Sequence, residues 1–178
     1  MNREQLPAWA VEPVHLVEHD PTWAAKAARY AGEVRALFTD RLLGEVLHVG
    51  STAVPGLPAK PIVDLQARAE HPATAVAAVV GAAGTTGWRF VPRELDDRPW
   101  RWFFVRVDDE EQTRLAHLHL MPPGEPRWDQ QIRFRDRLRA EPDLRAEYAA
   151  LKRRSAEAHH DDREAYTASK QAFIRRAT

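Results

Sequence analysis

A glycine–serine turn is the first segment whose residues could bind a charged ligand. The chain runs His48-Val49-Gly50-Ser51-Thr52 and carries Lys60 shortly afterwards. Such a turn after a strand frees backbone N–H groups and offers hydroxyls, which suits a phosphate, and a lysine adds a positive charge. The spacing is not that of the common nucleoside-triphosphate loop, because no lysine directly follows the second glycine. We predict ligand binding by Gly50, Ser51, Thr52 and Lys60, with an ordinary loop as the alternative.

A carboxylate interrupts the apolar run that follows this turn. In a strand, Asp64 would share one face with Ile62 and Gln66, while Val63 and Leu65 would point to the other face. A carboxylate among apolar residues is costly to bury without a partner or a metal ion. Asp64 is therefore a candidate catalytic residue and metal ligand, and a purely structural pairing is the alternative.

Two histidines alternate with leucines in the second half of the chain. Strand periodicity places His117 and His119 on one face and Leu118 and Leu120 on the other. Paired imidazoles can transfer protons, hold phosphate or bind a metal, although two histidines without a third ligand are weak evidence for zinc. Both are candidate catalytic residues, and an ordinary polar sheet face is the alternative.

An arginine interrupts the apolar side of a predicted helix. Trp128, Ile132 and Leu138 form an apolar arc, and Arg135 falls in its middle. An unpaired guanidinium would be costly there, so Arg135 should meet either an anionic ligand or an acidic partner. We expect it to bind ligand in the cleft beside the two histidines, with Asp136 orienting another basic group.

Lysine is scarce in this sequence. Arginine outnumbers lysine 22 to 4, which makes each lysine more noticeable than it would be elsewhere. Lys152 and Lys170 each follow a tyrosine by four residues on predicted helices. Together with Lys60, they are candidate ligand-binding residues.

The periodicity of apolar residues predicts the elements that must position these groups. Helices are expected from Asp20-Pro21 to about Leu43-Gly44 and over Pro72–Ala83, Arg127–Ala140, Asp143–Ala158 and Asp162–Arg175. Strands are expected over Glu45–Val49, Ile62–Ala67, Trp88–Val91, Trp100–Val107 and Arg114–Met121, and a polar loop over Arg93–Pro99. This order predicts an α+β fold, a mixed β-sheet flanked by helices, with further helices at the C-terminus. A length of 178 residues predicts one domain over 1–178.

Composition excludes several classes of site and partner. The chain has no cysteine, so it has no disulfide, thiolate metal site or cysteine nucleophile. Its 26 basic and 26 acidic residues balance, and no recognised motif points to nucleic acid, which is therefore not an expected partner. No apolar run is long enough for a membrane span, and the first ten residues lack the pattern of a signal peptide. We expect a cytoplasmic protein without a membrane partner.

Several of these motifs, in this order, resemble the GrpB (UPF0157) family. The resemblance runs from about Val14 to Ile174, almost the whole chain. It rests on the following segments: Val14–Trp23, His48–Asp64, His117–His119, Phe134–Arg139, Tyr148 with Lys152, and Tyr166 with Lys170. GrpB proteins are placed in the nucleotidyltransferase-like superfamily, and a similar domain is fused to some bacterial dephospho-CoA kinases. The resemblance therefore implies a nucleotidyltransferase-like fold.

The resemblance also implies roles for particular residues. In active nucleotidyltransferases, a Gly-Ser turn holds the nucleotide phosphates, and carboxylates on the following strands hold Mg²⁺. Gly50-Ser51 matches the turn and Asp64 matches the first metal carboxylate, but Gln66 stands at the second carboxylate position. His117 and His119 stand where a third carboxylate is expected. Two-metal transfer needs several carboxylates, so this chain departs from the active pattern.

The function implied by the resemblance is binding of a nucleotide or another small phosphate-bearing ligand, with Mg²⁺ as the expected cofactor. Two interpretations stay open. One is a transferase of unknown substrate with an incomplete set of carboxylates. The other is a non-catalytic accessory module related to the domain fused to dephospho-CoA kinases. The missing carboxylates predict poor or no nucleotidyl transfer from ordinary Mg-NTP.

Overall fold

A computed structural model describes residues 7–96 and 98–178 as a five-stranded mixed sheet with helices on both faces. Residues 1–6 and Asp97, which falls in the predicted polar loop, lie outside the described residues. The strands are β1 (Leu47–Val49), β2 (Val63–Arg68), β3 (Trp88–Val91), β4 (Trp102–Val107) and β5 (Arg114–Met121). The helices are α1 (Ala8–Val11), α2 (Trp23–Phe38), α3 (Pro72–Ala83), α4 (Pro126–Ala140), α5 (Pro142–Ala158), α6 (Arg163–Ala168) and α7 (Gln171–Arg176).

The strand order brings two distant segments of the chain together at the centre of the sheet. The order is β1-β2-β5-β4-β3, in which β2 and β5 are parallel and the other neighbours are antiparallel. The β2–β5 register places Asp64 opposite His117 and Gln66 opposite His119. Because side chains alternate along a strand, all four project from the same face of the sheet.

The other face of the sheet carries the main apolar core. Val63, Leu65, Leu118 and Phe104 are fully or almost fully buried there, against α2 and α3. Burying each such side chain contributes roughly 1.5–3 kcal/mol to folding. The apolar face therefore anchors the strands firmly, and the polar residues between its members are fixed by the same backbone.

A second apolar cluster holds the C-terminal helices over the loop that follows β1. Val54 and Leu57 of this loop are fully buried against Leu138 of α4, Tyr148 of α5 and Phe173 of α7. The cluster fixes α5 and the α6–α7 turn beside the loop. This arrangement brings the lysines of the helices to the same side of the sheet as Asp64.

The predicted fold class is confirmed, and the differences are local. The helix predicted from Asp20-Pro21 is α2, which ends at Phe38 rather than near Leu43. It ends there because Thr39 adopts a positive φ of 51° and the chain continues as a short 3₁₀ turn. The helix predicted over Asp162–Arg175 is two helices, α6 and α7. Between them the Ser169 hydroxyl donates to the Tyr166 carbonyl at 2.9 Å, a local bond that competes with helix continuation. Helix α1 was not predicted.

Candidate functional site

Gly50 packs its backbone directly on the carboxylate of Asp64. The residue has φ 69° and ψ −169°, a conformation essentially restricted to glycine. A β-carbon at this position would overlap Oδ2 of Asp64 and lie 2.9 Å from its Cβ. Glycine is required here both by the backbone angle and by this close approach. The expected closeness of the Gly50-Ser51 turn to Asp64 is confirmed.

Two imidazoles hold the other oxygen of Asp64. Nδ1 of His117 lies 3.0 Å from Oδ1, and Nε2 of His119 lies 3.6 Å from the same oxygen. Burial acts to raise the pKa of Asp64, but the hydrogen bonds from His117 and His119 hold it well below its usual range. Burial lowers the pKa of His117 to about 3 and also lowers that of His119. At neutral pH, an ionised carboxylate therefore faces two neutral imidazoles.

A buried ion pair adjoins this cluster. Arg101 Nη1 lies 2.6 Å from Nδ1 of His119, and the same guanidinium makes two hydrogen bonds of 2.8 Å to Asp96. The side chains of Arg101 and Asp96 are only 6% and 5% exposed. Neither residue was a predicted site residue, because Asp96 falls in the predicted polar loop and Arg101 falls at the start of the predicted strand Trp100–Val107. The sequence feature that could have identified Arg101 is an arginine placed just before an apolar strand.

The second carboxylate position of the nucleotidyltransferase pattern does not face the cavity. Gln66 is fully buried, and its Nε2 donates to the Trp128 carbonyl of α4 at 3.3 Å. The position is therefore covered by a helix backbone. A carboxylate placed there would meet a carbonyl oxygen rather than a cation.

The other described acids that line the cavity are already engaged. Asp96 pairs with Arg101, and Glu164 pairs with Arg98 at 3.1 Å. Asp162 accepts the Ala165 N–H as the cap of α6, and Asp161 contacts His160. Ligand atoms of Asp64, His117 and His119 lie within 4.8 Å of one another, close enough to share a cation. As an oxygen site for Mg²⁺, however, the described residues offer one carboxylate and do not fit a two-metal centre.

Three lysines form a second group on the wall of the same cavity, and the two groups are called the lysine end and the Asp64 end of the cavity. Lys152 and Lys170 are 2% and 9% exposed. Lys152 Nζ donates to the Pro58 carbonyl, and Lys170 Nζ lies 3.2 Å from the centre of the Tyr166 ring. Lys60 Nζ lies 5.4 Å from the same ring. Among residues 7–96 and 98–178, no carboxylate forms an ion pair with Lys152 or Lys170.

The lysines disfavour one another's charge. Burial, followed by the charge of Lys60, lowers the pKa of Lys152 to about 7. Burial, followed by the charges of Lys60 and Lys152, lowers the pKa of Lys170 to about 6. Desolvation and mutual repulsion both penalise the ammonium form, and an anionic ligand would relieve both.

One cavity of about 1430 Å³ joins the two ends. Most of the predicted site residues line it: Gly50, Ser51, Thr52, Lys60, Asp64, His117, His119, Lys152 and Lys170. Ser51 of the turn and Tyr148 of α5 both line the cavity. The Thr52 hydroxyl is occupied by Nε2 of His48, at 2.9 Å. The fold thus brings most of the predicted site residues to one cavity.

The prediction that Arg135 reaches the cleft beside the histidines is wrong. Its guanidinium bonds to the neighbouring Asp136 at 2.8 and 3.1 Å and to the His48 carbonyl at 2.9 Å. Helix α4 packs on β1, which is an edge strand with a carbonyl to satisfy. Neither Arg135 nor Asp136 lines the cavity.

Fold and site together define an α+β protein with a mixed sheet, whose cavity sets one ionised carboxylate opposite a group of lysines. The chain belongs to the GrpB family, because it matches the GrpB protein family over residues 13–178. The crystal structure of the conserved protein GrpB from Enterococcus faecalis superposes with a TM-score of 0.80 at 26% identity, covering 92% of this chain and 94% of that one. Across the described residues, no helix is long and apolar enough to cross a membrane.

Curated relatives agree with this assignment. A UPF0157 protein of Pseudomonas aeruginosa is 36% identical over 92% of this chain and 65% of its own length. A UPF0157 protein of Halalkalibacterium halodurans is 34% identical over 90% of this chain and 78% of its own length. A dephospho-CoA kinase of Mycolicibacterium paratuberculosis is 33% identical over 93% of this chain, but over only 45% of the kinase. This chain thus spans less than half of that kinase and just under two thirds of the Pseudomonas protein.

Proposed function

We propose that this chain binds a small phosphate-bearing ligand, such as a nucleotide, between the Gly50-Ser51 turn and the three lysines. The supporting observation is that Lys152 and Lys170 are buried without a carboxylate partner among the described residues. Burial and mutual repulsion disfavour the ammonium form of both lysines, and an anionic ligand in the cavity is the kind of group that would stabilise that form. The backbone N–H groups and hydroxyl of the turn suit phosphate oxygens.

Asp64 would bind the ligand rather than act as a base that removes a proton. Its low pKa keeps it ionised at neutral pH and makes it a weak base. It can accept a hydrogen bond from a ligand hydroxyl, or give one oxygen to a Mg²⁺ ion that ligand phosphates help to hold. With Gln66 covered and the other cavity acids engaged, we propose ligand binding without ordinary nucleotidyl transfer.

A role as an accessory module is the second candidate. The observation that favours it is the match to a protein named dephospho-CoA kinase, of which this chain covers 45%. In that case, the ligand would be one that a kinase domain also binds. The same cavity would bind it, and the chain would carry out no chemistry of its own.

Thermal unfolding with a panel of anions tests the proposal. The panel contains inorganic phosphate, pyrophosphate, ATP and coenzyme A, each with and without Mg²⁺. A ligand at 100 times its Kd stabilises the folded state by about 2.7 kcal/mol. We expect stabilisation by at least one phosphate compound and its loss in Lys170→Met and Ser51→Ala. Lys26→Met is the control, because Lys26 is exposed and pairs with Asp20 at 3.1 Å. Equal stabilisation in a Lys152→Met/Lys170→Met double variant would contradict the proposal.

Pyrophosphate release from Mg-ATP separates binding from transfer. We expect no release above background from a protein that binds the nucleotide. Release at an enzymatic rate, abolished in Asp64→Ala, would show instead that the protein is a nucleotidyltransferase.

A further inference from the structure

A line of buried polar contacts runs from the loop before β4 to the carboxylate in the cavity. Asp96 holds Arg101 by two hydrogen bonds, Arg101 contacts Nδ1 of His119, and Nε2 of His119 faces Oδ1 of Asp64. His117 reaches the same Oδ1 through its Nδ1 at 3.0 Å. Arg101, Asp96 and His119 are all almost fully enclosed, so solvent does not compete for these bonds.

The chemistry of the guanidinium fixes where the imidazole proton lies. An arginine side chain has only N–H donors and no acceptor. The 2.6 Å contact between Arg101 Nη1 and His119 Nδ1 therefore requires a lone pair on Nδ1. A neutral imidazole with a lone pair on Nδ1 carries its proton on Nε2. That N–H points towards the carboxylate.

His117 carries the opposite tautomer. Because Asp64 is ionised and can only accept, the nitrogen beside it must donate, which places the proton of His117 on Nδ1. His117 thus donates a hydrogen bond to Oδ1 at 3.0 Å, and the N–H of His119 faces the same oxygen at the longer distance of 3.6 Å. Oδ2 lies at the Gly50 turn, on the side where the ligand-binding residues are.

The ring of His119 is held against rotation by its neighbours. Trp100 stacks on it, with ring centres 5.6 Å apart and an angle of 13° between the ring planes. The ring centre of Phe103 is also 5.6 Å from that of His119, and its plane is tilted by 36°. Arg101 itself lies 3.6 Å over the Phe103 ring. A 180° flip of this ring would keep the stack but set a ring carbon against the Arg101 guanidinium, so the contact with Arg101 Nη1 is what keeps Nε2 towards the carboxylate.

We infer that Arg101, held by Asp96, is a positioning residue for Asp64. It fixes the Nε2–H tautomer of His119, so both imidazoles turn an N–H towards Oδ1, and Oδ2 is the oxygen that faces a ligand. The two histidines then present N–H groups to the carboxylate and are not metal ligands, because neither presents a lone pair to Asp64. A cation or a ligand hydroxyl meets this cluster through carboxylate oxygen alone. This inference does not depend on which ligand the lysines bind.

Long-range ¹H–¹⁵N correlation spectra at neutral pH distinguish the two imidazole tautomers. Signals of the eight histidines are assigned through His117→Gln and His119→Gln. We expect Nε2–H for His119 and Nδ1–H for His117 in the unsubstituted protein. Arg101→Met removes the donor and should populate the other tautomer of His119, whereas Arg101→Lys, which still only donates, should restore the Nε2–H form in part.

Arg98→Met is the matched control. Arg98 contacts the same Asp96 at 3.5 Å but makes no contact with His119, so its loss should leave the tautomer unchanged. An Nδ1–H form of His119 in the unsubstituted protein would overturn the inference, and so would an unchanged tautomer in a folded Arg101→Met variant. If Arg101→Met does not fold, the tautomer of His119 in the unsubstituted protein and in Asp96→Asn still tests the inference. Titration with Zn²⁺ adds a direct test, because loss of the His119 Nε2 proton to the metal would show that the cluster is a metal centre.

Discussion

The two ends of the cavity differ in how their charges are satisfied. At the Asp64 end, the carboxylate has two imidazole partners, and the guanidinium behind them has its own acid, Asp96. At the lysine end, Lys152 and Lys170 form no ion pair with an acid among the residues the structure describes, although the charge of Asp64 acts to raise the pKa of each. Asp64 is thus paired without a ligand, although the buried Nε2 of His117 has no hydrogen-bond partner, whereas Lys152 and Lys170 are not ion-paired. Under the proposed function, this contrast assigns recognition of ligand charge to the lysine end and of ligand orientation to the Asp64 end.

The difference follows from the elements that carry each end. Asp64 and the histidines stand on adjacent central strands, whose register fixes their separation. The lysines come from a loop, from α5 and from the α6–α7 turn, which only the second apolar cluster brings together. Strands of fixed register suit a preformed hydrogen-bonded group, whereas the positions of the lysines depend on the packing of the helices.

Replacing Gln66 by glutamate tests whether the Asp64 end lacks a carboxylate. We expect Gln66→Glu to lower the free energy of unfolding by about 3–5 kcal/mol, because it buries an uncompensated charge against the Trp128 carbonyl. Urea denaturation measures the loss, and Gln66→Met, which adds no charge, should lose less. A stable Gln66→Glu protein that gains Mg²⁺-dependent nucleotidyl transfer would mean that this end is a metal centre lacking one carboxylate.

The contact between Gly50 and Asp64 gives the next largest effect. Gly50→Ala should cost about 3 kcal/mol, since the backbone strain of roughly 1–3 kcal/mol adds to the overlap with the carboxylate. Gly56→Ala is the control, because Gly56 also has a positive φ, 76°, but a β-carbon there meets nothing within 4 Å. Equal losses of unfolding free energy in the two variants would show that the approach to Asp64 is not close.

The pH dependence of stability reports on the lysine end. The folded-state pKa values of Lys152 and Lys170, about 7 and about 6, lie below the ordinary 10.5. Between these values, the unfolded chain binds more protons than the folded one, so stability rises with pH. From pH 8 to 9, we expect a gain of about 1.4 kcal/mol in unfolding free energy for each lysine. The lowered pKa values of His48, His117 and His119 act only below this window, because those groups are neutral in both states above pH 8.

Lysine-to-methionine variants provide the control for this pH dependence. A Lys152→Met/Lys170→Met protein should lose the rise in stability between pH 8 and 9, whereas Lys26→Met should keep it. Denaturant unfolding of the empty protein at both pH values makes the measurement. A flat profile in the unsubstituted protein would mean that both lysines are charged in the folded state and that the two ends are alike.

The sequence was informative where local periodicity decides the outcome. Alternation along the strands placed Asp64, His117 and His119 each on a polar face, and strand adjacency then brought them together. The helix over Pro72–Ala83 and the strands over Trp88–Val91 and Arg114–Met121 were predicted with the bounds that the structure has. In each case, the signal lies within the element itself.

Periodicity could not show what lies opposite an element. Arg101 and Asp96 matter only because the loop before β4 folds against His119, and nothing in their spacing encodes that approach. Gln66 was identified as a departure from the metal pattern, but its cover by α4 is a tertiary contact. The helical arc correctly marked Arg135 as a cation that needs a partner, yet it could not identify the His48 carbonyl as that partner.

Arg135 gives the smallest predicted effect and tests whether a cation outside the cavity behaves like those inside it. Its guanidinium serves the half-exposed Asp136 and a carbonyl of edge strand β1. Arg135→Met should therefore lower the free energy of unfolding by only about 1 kcal/mol, since Asp136 regains water when its partner is lost. Ligand-induced stabilisation should be unchanged, whereas Lys170→Met should abolish it without a comparable loss in the empty protein, because a lysine with a pKa of about 6 is mostly uncharged at pH 7 and forms no ion pair that the variant would lose. Thermal unfolding of both variants with and without pyrophosphate makes the comparison. If Arg135→Met remains folded but loses the pyrophosphate effect, the anion site extends to α4 and is not confined to the lysine end of the cavity.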